Sequence, residues 1–375
     1  MKYFYFFSFL LLLPAFLFAQ LDSLSIKEDQ EALKDKIHKI LYTPILLYAP
    51  EESVILGAGG ILLFRPKHID SLNHTRISNV QGSLLYTFKH QIITQPNYTI
   101  FTKGEKFLFK GTFGFNRFPI YYYGIGNNTP SKDKELISYD IIMNDHNVFY
   151  KLRQFMYAGV GFRYYRMWDI SSGGNGVLET AKPAGYRGYT ASGITFAVTY
   201  DSRNNVITTS RGFNLNISQT FHGRAFAGDF NFTRTLIDIR KFYTLFNQTN
   251  KKNVLALQLY SQLTSGTVPF NELGQMGGNM IMRGYYQGRY RDRELAAIQA
   301  EYRRRLTGRF GFVVFAALGE VAPRMGDFTF YDSKASYGGG LRFRVSKKHN
   351  VNLRGDLGID NKGNALVYFA IAEAF

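Results

Sequence analysis

The sequence predicts an all-β chain: a closed, 16-stranded antiparallel transmembrane β-barrel with one long loop folded inward. Three observations predict it. An apolar leader opens the chain, and no later apolar run approaches the ~18 residues that a spanning helix needs. From Tyr42 onward hydrophobic and polar residues alternate with period two. The connections between candidate strands alternate between long and tight.

The first element is the leader. Residues 1–19 carry one basic residue, Lys2, then an apolar run, and end at Ala19. This is the pattern of a secretory signal peptide cut after Ala19. Residues 20–40 form a short periplasmic lead-in. Within it, "SIKEDQEALKDKIHKI" (25–40) has a helical period, with Ser25 and Glu28 suited to a capping box and Ile26, Leu33, Ile37 and Ile40 near one face. A disordered linker is the alternative reading of the same stretch.

Residues 41–375 are the barrel. Their candidate strands are 41–49, 52–65, 75–88, 91–103, 106–116, 135–150, 153–168, 187–201, 210–221, 228–241, 253–265, 292–306, 309–321, 334–346, 349–359 and 364–375. In "YGGGLRFRV", Tyr337, Leu341 and Phe343 alternate with Gly338, Gly340, Arg342 and Arg344; in "VNLRGDLGI", Leu353, Leu357 and Ile359 alternate with Arg354 and Asp356. A soluble barrel of this size has to fill its interior, yet these polar faces carry Arg, Asp, Asn and Gly. A transmembrane barrel reverses the demand, with apolar residues toward lipid and polar ones toward a wet lumen. Backbone groups in lipid must all be paired, so the strands must close on themselves. Phe343 and Leu353 then face lipid, and Arg342 and Arg354 the lumen. The last strand is less regular, because Glu373 falls on its apolar face. With both chain ends periplasmic, the four longest connections (117–134, 169–186, 266–291 and 322–333) face outward, and 151–152, 307–308 and 347–348 are tight periplasmic turns.

Composition agrees. Aromatic residues make up 16% of the chain, with 36 Gly and 10 Pro. The absence of Cys excludes disulfides, thiolate catalysis, Cys-ligated metals and a lipidated N-terminal Cys. The formal net charge of +17 is spread over strands and loops rather than clustered. It suits anionic lipid head groups, lipopolysaccharide and a charged lumen, not nucleic acid. The histidines have no ligand-like spacing, no Ser carries a convincing triad pattern, and the glycine pairs within strands are followed by no helix and are not phosphate loops. No catalytic residue, cofactor or metal site is expected.

Four stretches carry a resemblance. "GGNMIMRGYYQGRYRD" (277–292), followed by "AAIQAEYRRRL", resembles the signature loop of the BamA/TamA superfamily of outer-membrane insertion and translocation barrels, the bacterial surface antigen domain. "YDSRNNVITTSRGFNLNIS" (200–218) is similar to the family's Asp-x-Arg turn, "YYYGIGNNTP" (121–130) to a segment at its third outer loop, and the terminal Phe375 to a barrel-assembly signal. The resemblance covers residues 41–375. It departs from the family in two ways. Only about twenty residues separate the expected cleavage site from the first strand, too few for a POTRA module. This implies a barrel-only member, in which a separate periplasmic partner or self-association replaces those modules. The family's Phe-x-Asp-x-Gly motif reads "FAALG" (315–319) here, with Ala317 in place of the acid.

The resemblance implies that the loop enters the lumen and that Arg283 docks on the inner wall. Parity on "AAIQAEYRR" points Gln299, Glu301 and Arg303 inward, so Glu301 is the expected partner of Arg283. Gly284 allows a tight approach or a positive φ, and Tyr285 packs with a polar tip. An exposed basic loop is the competing reading of the same residues. Asp201 and Arg203 are expected to clasp a periplasmic turn. The function implied is insertion or translocation of proteins or lipids at the outer membrane, with no chemical catalysis. The alternative is a passive or loop-gated pore.

Overall fold

The computed structural model describes residues 38–64, 75–76, 78–94, 96–174, 176–205, 208–246, 253–306, 308–346 and 351–375. The expected signal peptide and residues 20–37 of the expected lead-in lie outside these residues. His38–Ile40, expected in the lead-in, are already strand.

Nineteen strands follow in chain order among the described residues: β1 His38–Ala49, β2 Ser53–Phe64, β3 Ser78–Thr87, β4 Ile92–Thr94, β5 Asn97–Phe101, β6 Phe107–Tyr122, β7 Glu135–Arg153, β8 Met156–Ser171, β9 Tyr189–Asp201, β10 Gly212–His222, β11 Phe232–Thr244, β12 Asn253–Gly266, β13 Gly274–Met276, β14 Tyr290–Asp292, β15 Glu294–Arg305, β16 Phe310–Ala322, β17 Lys334–Ser346, β18 Val351–Asp360 and β19 Ala365–Ile371. The only α-helix among them, Val177–Ala181, lies in an outer connection. β13 and β14 form a separate hairpin. The rest form one antiparallel sheet, each strand pairing with the next, that closes when β1 meets β19. β4 and β5 lie end to end between β3 and β6. They count as one barrel strand, broken at Pro96, which has no N–H to give the ladder. The wall is therefore a closed 16-stranded antiparallel barrel.

Period two sets the two faces. On β16, Val313, Phe315 and Ala317 are buried, while Phe310, Val314 and Leu318 stand on the outer surface. Arg342 on β17 and Arg354 on β18 are buried in the lumen, where parity had placed them.

Two further elements differ from expectation. β6 continues to Tyr122, six residues past its expected end, and pairs with β7 up to Tyr122–Glu135. Pro119 looks like a breaker within it. Its carbonyl, however, accepts a hydrogen bond from Gln91 Nε2, on the side away from β7, and the β4 ladder has already ended there at Ile92–Arg117. Its missing N–H therefore costs no ladder bond.

The second difference is the C-terminus, expected as strand to residue 375. β19 stops at Ile371, Ala372 adopts φ 69°, and residues 373–375 turn into the lumen. Continued strand would have put Glu373 against lipid. The left-handed residue reverses it, and its carboxylate instead pairs with Arg342 Nε at 2.8 Å and accepts from Asn352 Nδ2 at 2.7 Å. Phe375 follows it inward and packs with Phe242 and Ala256. Arg303 Nη2 donates to the Phe375 main-chain oxygen at 2.7 Å.

Candidate functional site: the lumenal loop and its ionic network

The connection between β12 and β15 enters the barrel. Its hairpin, β13–β14, carries a tip at 277–289, and three features of the sequence let that tip bend. Gly277, Gly278 and Gly284 all have φ above 100°, a conformation that side chains other than glycine rarely adopt. At Gly284 a Cβ would stand 2.9–3.0 Å from backbone atoms of Ile359, and at Gly358 one would stand 2.6 Å from the Gly284 nitrogen. The tip therefore meets β18 backbone to backbone, and both glycines are needed for that approach.

The approach delivers Arg283 to the wall. The side chain is 1% exposed. Nη2 donates to Glu301 on β15, and Nη1 donates to Asp356 Oδ2 on β18 at 2.7 Å. The guanidinium lies 3.6 Å from the ring centroid of Phe315 on β16. Glu301 also accepts from Arg303 Nε at 2.8 Å, and Asp356 from Arg342 and Arg354. Arg342 passes the network on to Glu373. Buried charges of both signs thus interleave on β15, β17 and β18, which offsets the desolvation of each.

Sequence parity supplied Glu301 but not Asp356. The signal for Asp356 was present, since it falls on the inward face of β18. Ala317, where the family motif has an acid, packs in a buried apolar cluster with Met282 and Tyr285. Asp356 meets the arginine from the strand two positions along the wall.

Other contacts fix the rest of the loop. Gly284 N donates to Tyr368 Oη on β19 at 3.1 Å. The Tyr285 hydroxyl is 2.9 Å from Asn361 Oδ1 and 3.0 Å from the Ala335 carbonyl, and burial pushes it up to about 12. Gln287 N donates at 2.8 Å to the Glu51 carboxylate in the β1–β2 turn. Arg289 Nη1 donates to Thr129 Oγ1 at 2.8 Å. Glu272, at the loop base, pairs with Arg163 on β8 at 2.8 Å. Burial works against its charge, but the Arg163 and Arg234 guanidiniums prevail and hold its carboxyl below the usual range. A cavity of about 430 Å³ remains between the loop and the wall that carries Ile120, Tyr139 and Arg163.

Asp201 and Arg203 form a bidentate pair, at 2.9 and 2.7 Å, in the turn from β9 to β10. Among the described residues no three His, Cys, Asp or Glu converge as a metal site. The seam of the barrel is thin. Among the described residues β1 and β19 share one register pair, Tyr48–Phe369, whereas β1 pairs with β2 from His38–Phe64 to Ala49–Ser53.

Wall and loop together define an outer-membrane β-barrel whose lumen is spanned by its own extracellular loop. The Omp85 superfamily domain model matches residues 105–365, and the chain belongs to that superfamily. Solved structures share the fold. BamA from Haemophilus ducreyi lacking POTRA domains 1–3 superposes with a TM-score of 0.58 at 12% identity, over 89% of this chain and 70% of that one. CdiB from Acinetobacter baumannii gives 0.57 at 11%, over 88% and 59%. CdiB from Escherichia coli gives 0.58 at 11%, over 89% and 62%. No curated protein sequence matches the chain. Superfamily membership places it in the outer membrane, among barrels of the protein insertion and translocation class.

Proposed function

We propose that this barrel inserts or translocates polypeptides at the outer membrane through the β1–β19 seam, with the lumenal loop as the brace that holds the seam shut. The observation that carries the reading is the single register pair at the seam. By comparison, β18 and β19 pair from Leu353–Ile371 to Ile359–Ala365. Pro44 in β1 has no N–H to donate, which suits a strand that pairs poorly on one side. Main-chain N–H groups of the loop tip supply what the ladder lacks: Gly284 N donates to the Tyr368 hydroxyl of β19, and Gln287 N to the Glu51 carboxylate beside β1. Arg283, Gly284 and Tyr285 are the brace, Glu301 its anchor, Asp201 and Arg203 a clasp that fixes a periplasmic turn, and Phe375 an assembly element that folds inward. Lipid and lipopolysaccharide surround the wall, and a periplasmic partner or a second copy delivers substrate.

The chain has no cysteine, so a crosslink can be placed without background. Tyr48→Cys with Phe369→Cys would lock the seam. The test is outer-membrane proteomics in the native host under oxidising and reducing conditions. Reversible loss of barrel proteins is expected. An unchanged proteome with the crosslink fully formed sinks the seam reading and leaves the loop-gated pore.

A further inference from the structure

The periplasmic mouth of the lumen holds a second charged site, which shares Arg303 and Arg342 with the network that docks the loop. A cavity of about 70 Å³ opens there between the ends of β15, β16 and β17. Six arginines line it (Arg303, Arg304, Arg305, Arg309, Arg342 and Arg344), and Glu373 is the one acid among its lining residues. Glu373 is already engaged by Arg342 and Asn352. Arg303 and Arg342 are 8% and 4% exposed, yet each keeps one guanidinium nitrogen, Nη1 and Nη2 respectively, buried without a hydrogen-bond partner; Nε of Arg344 is in the same state. Among the described residues neither Arg305 nor Arg344 has a carboxylate partner. Gly311 lies in register between Arg305 and Arg342, so no side chain stands between them, and a Cβ there would come within 2.9 Å of the Arg304 carbonyl oxygen.

We propose that this mouth binds a tetrahedral phosphate-type oxyanion, carried either as inorganic phosphate or as a phospholipid headgroup. Unpartnered buried guanidinium donors are costly, because each has lost its water without gaining an acceptor. An anion relieves that cost and the mutual repulsion of the arginines together. The planar fork of arginine matches an oxyanion with two parallel N–H···O bonds, and several forks around one small cavity suit a tetrahedral group better than a flat one. Opening toward the periplasm, the site can be reached without passing the docked loop. The inference does not rest on the insertion reading, since a pore would present the same mouth.

The test is isothermal titration of the full-length folded barrel in detergent with sodium phosphate, against sodium chloride at matched ionic strength. A parallel titration compares dihexanoyl phosphatidic acid with dihexanoyl glycerol. Saturable phosphate binding is expected, weakened roughly tenfold or more in Arg305→Gln and Arg344→Gln. Heat-modifiable gel mobility checks that each variant is folded. If neither variant folds, the melting temperature of the unaltered barrel decides, and it should rise with phosphate and not with chloride. Binding of free phosphate identifies a soluble ligand, and binding of the short lipid alone identifies a headgroup. A phosphate response equal to that of chloride together with no binding of the phosphatidic acid beyond the glycerol control, or binding undiminished in both folded variants, overturns the proposal.

Discussion

Substitutions at Arg283, Glu301 and Asp356 should differ in a fixed order, which follows from what each leaves behind. The buried network holds four guanidiniums (Arg283, Arg303, Arg342 and Arg354) against three carboxylates (Glu301, Asp356 and Glu373). Removing Arg283 strands no acid, because Glu301 keeps Arg303 and Asp356 keeps Arg342 and Arg354. The loss is two charge-assisted bonds and the stacking on Phe315, partly offset by sparing a buried cation its desolvation. Arg283→Ala should therefore weaken docking of the loop by ~2–4 kcal/mol, below the upper end for breaking a buried pair from one side. Glu301→Gln leaves the same four cations facing two acids, and should cost nearer ~3–5 kcal/mol. Asp356→Asn removes the acid that three arginines share, and should be worst.

A cysteine in place of Met282, which is 0% exposed, reports docking directly, because a thiol reagent reaches it only when the tip leaves the wall. Each ~1.4 kcal/mol lost should speed labelling about tenfold. Arg283→Ala with Glu301→Ala should be less than additive, with a coupling of ~1–3 kcal/mol. Additive effects, or a cost for Arg283→Ala within the ~0.2–1 kcal/mol of a surface pair, would refute the view of this network as a buried unit.

Three other outcomes follow from the geometry. Gly358→Ala puts a Cβ 2.6 Å from the Gly284 nitrogen without changing any charge, so it should undock the tip and raise ion conductance in planar bilayers as Arg283→Ala does; unaltered conductance in both would mean that the loop does not block the lumen. Leu341→Arg, halfway along the lipid face of β17, should cost ~2–4 kcal/mol and reduce the heat-modifiable folded fraction, while Ser218→Arg on the lumenal face of β10 should be tolerated; equal effects would mean that the faces are reversed. In the β1–β2 turn, burial and the neighbouring Glu51 raise Glu52 from 4.5 to about 7, so its neutral form is the one the folded turn favours; stability is full below about 4.5, falls as pH rises, and is lost above about 7. Protection of the turn amides, taken relative to the intrinsic base-catalysed exchange rate, should accordingly fall between pH 5 and 8, and Glu52→Gln should remove that fall.

The wall was legible in the sequence because its two solvents differ. Lipid on one side and water on the other force period two, and parity then places Glu301, Arg342 and Arg354 inward without any knowledge of the fold. What parity cannot do is choose partners. Asp356 is 73 residues from Arg283, and several inward acids satisfy the same alternation. Only the backbone approach of Gly284 to Gly358 brings this one within reach. The inward turn of the C-terminus was hidden for a related reason. The residues carry the alternation to position 375, and one left-handed alanine, a residue with no marked preference for that conformation, cancels it. Glu373 was the visible warning, since a carboxylate on the lipid face has no partner there and finds one in the lumen.

The two ends of the seam are secured in the same way, by bonds to or from side chains rather than by ladder bonds. At the outer end the loop tip reaches Tyr368 of β19 through Gly284 and Glu51 beside β1 through Gln287, so one short segment grips both sides of the gap. At the periplasmic end the residues that follow β19 are drawn into the lumen by Arg342 and Arg303. Arg342 and Arg303 also hold Asp356 and Glu301, the two acids on which Arg283 docks. Loop and last strand therefore share their anchors. Releasing Arg283 loosens the outer grip and frees both acids to reorganise around the arginines that hold the tail. A barrel closed by many ladder bonds would be indifferent to its loop. In this one, with a single register pair at the seam, undocking the loop and parting β1 from β19 are expected to be one coupled event.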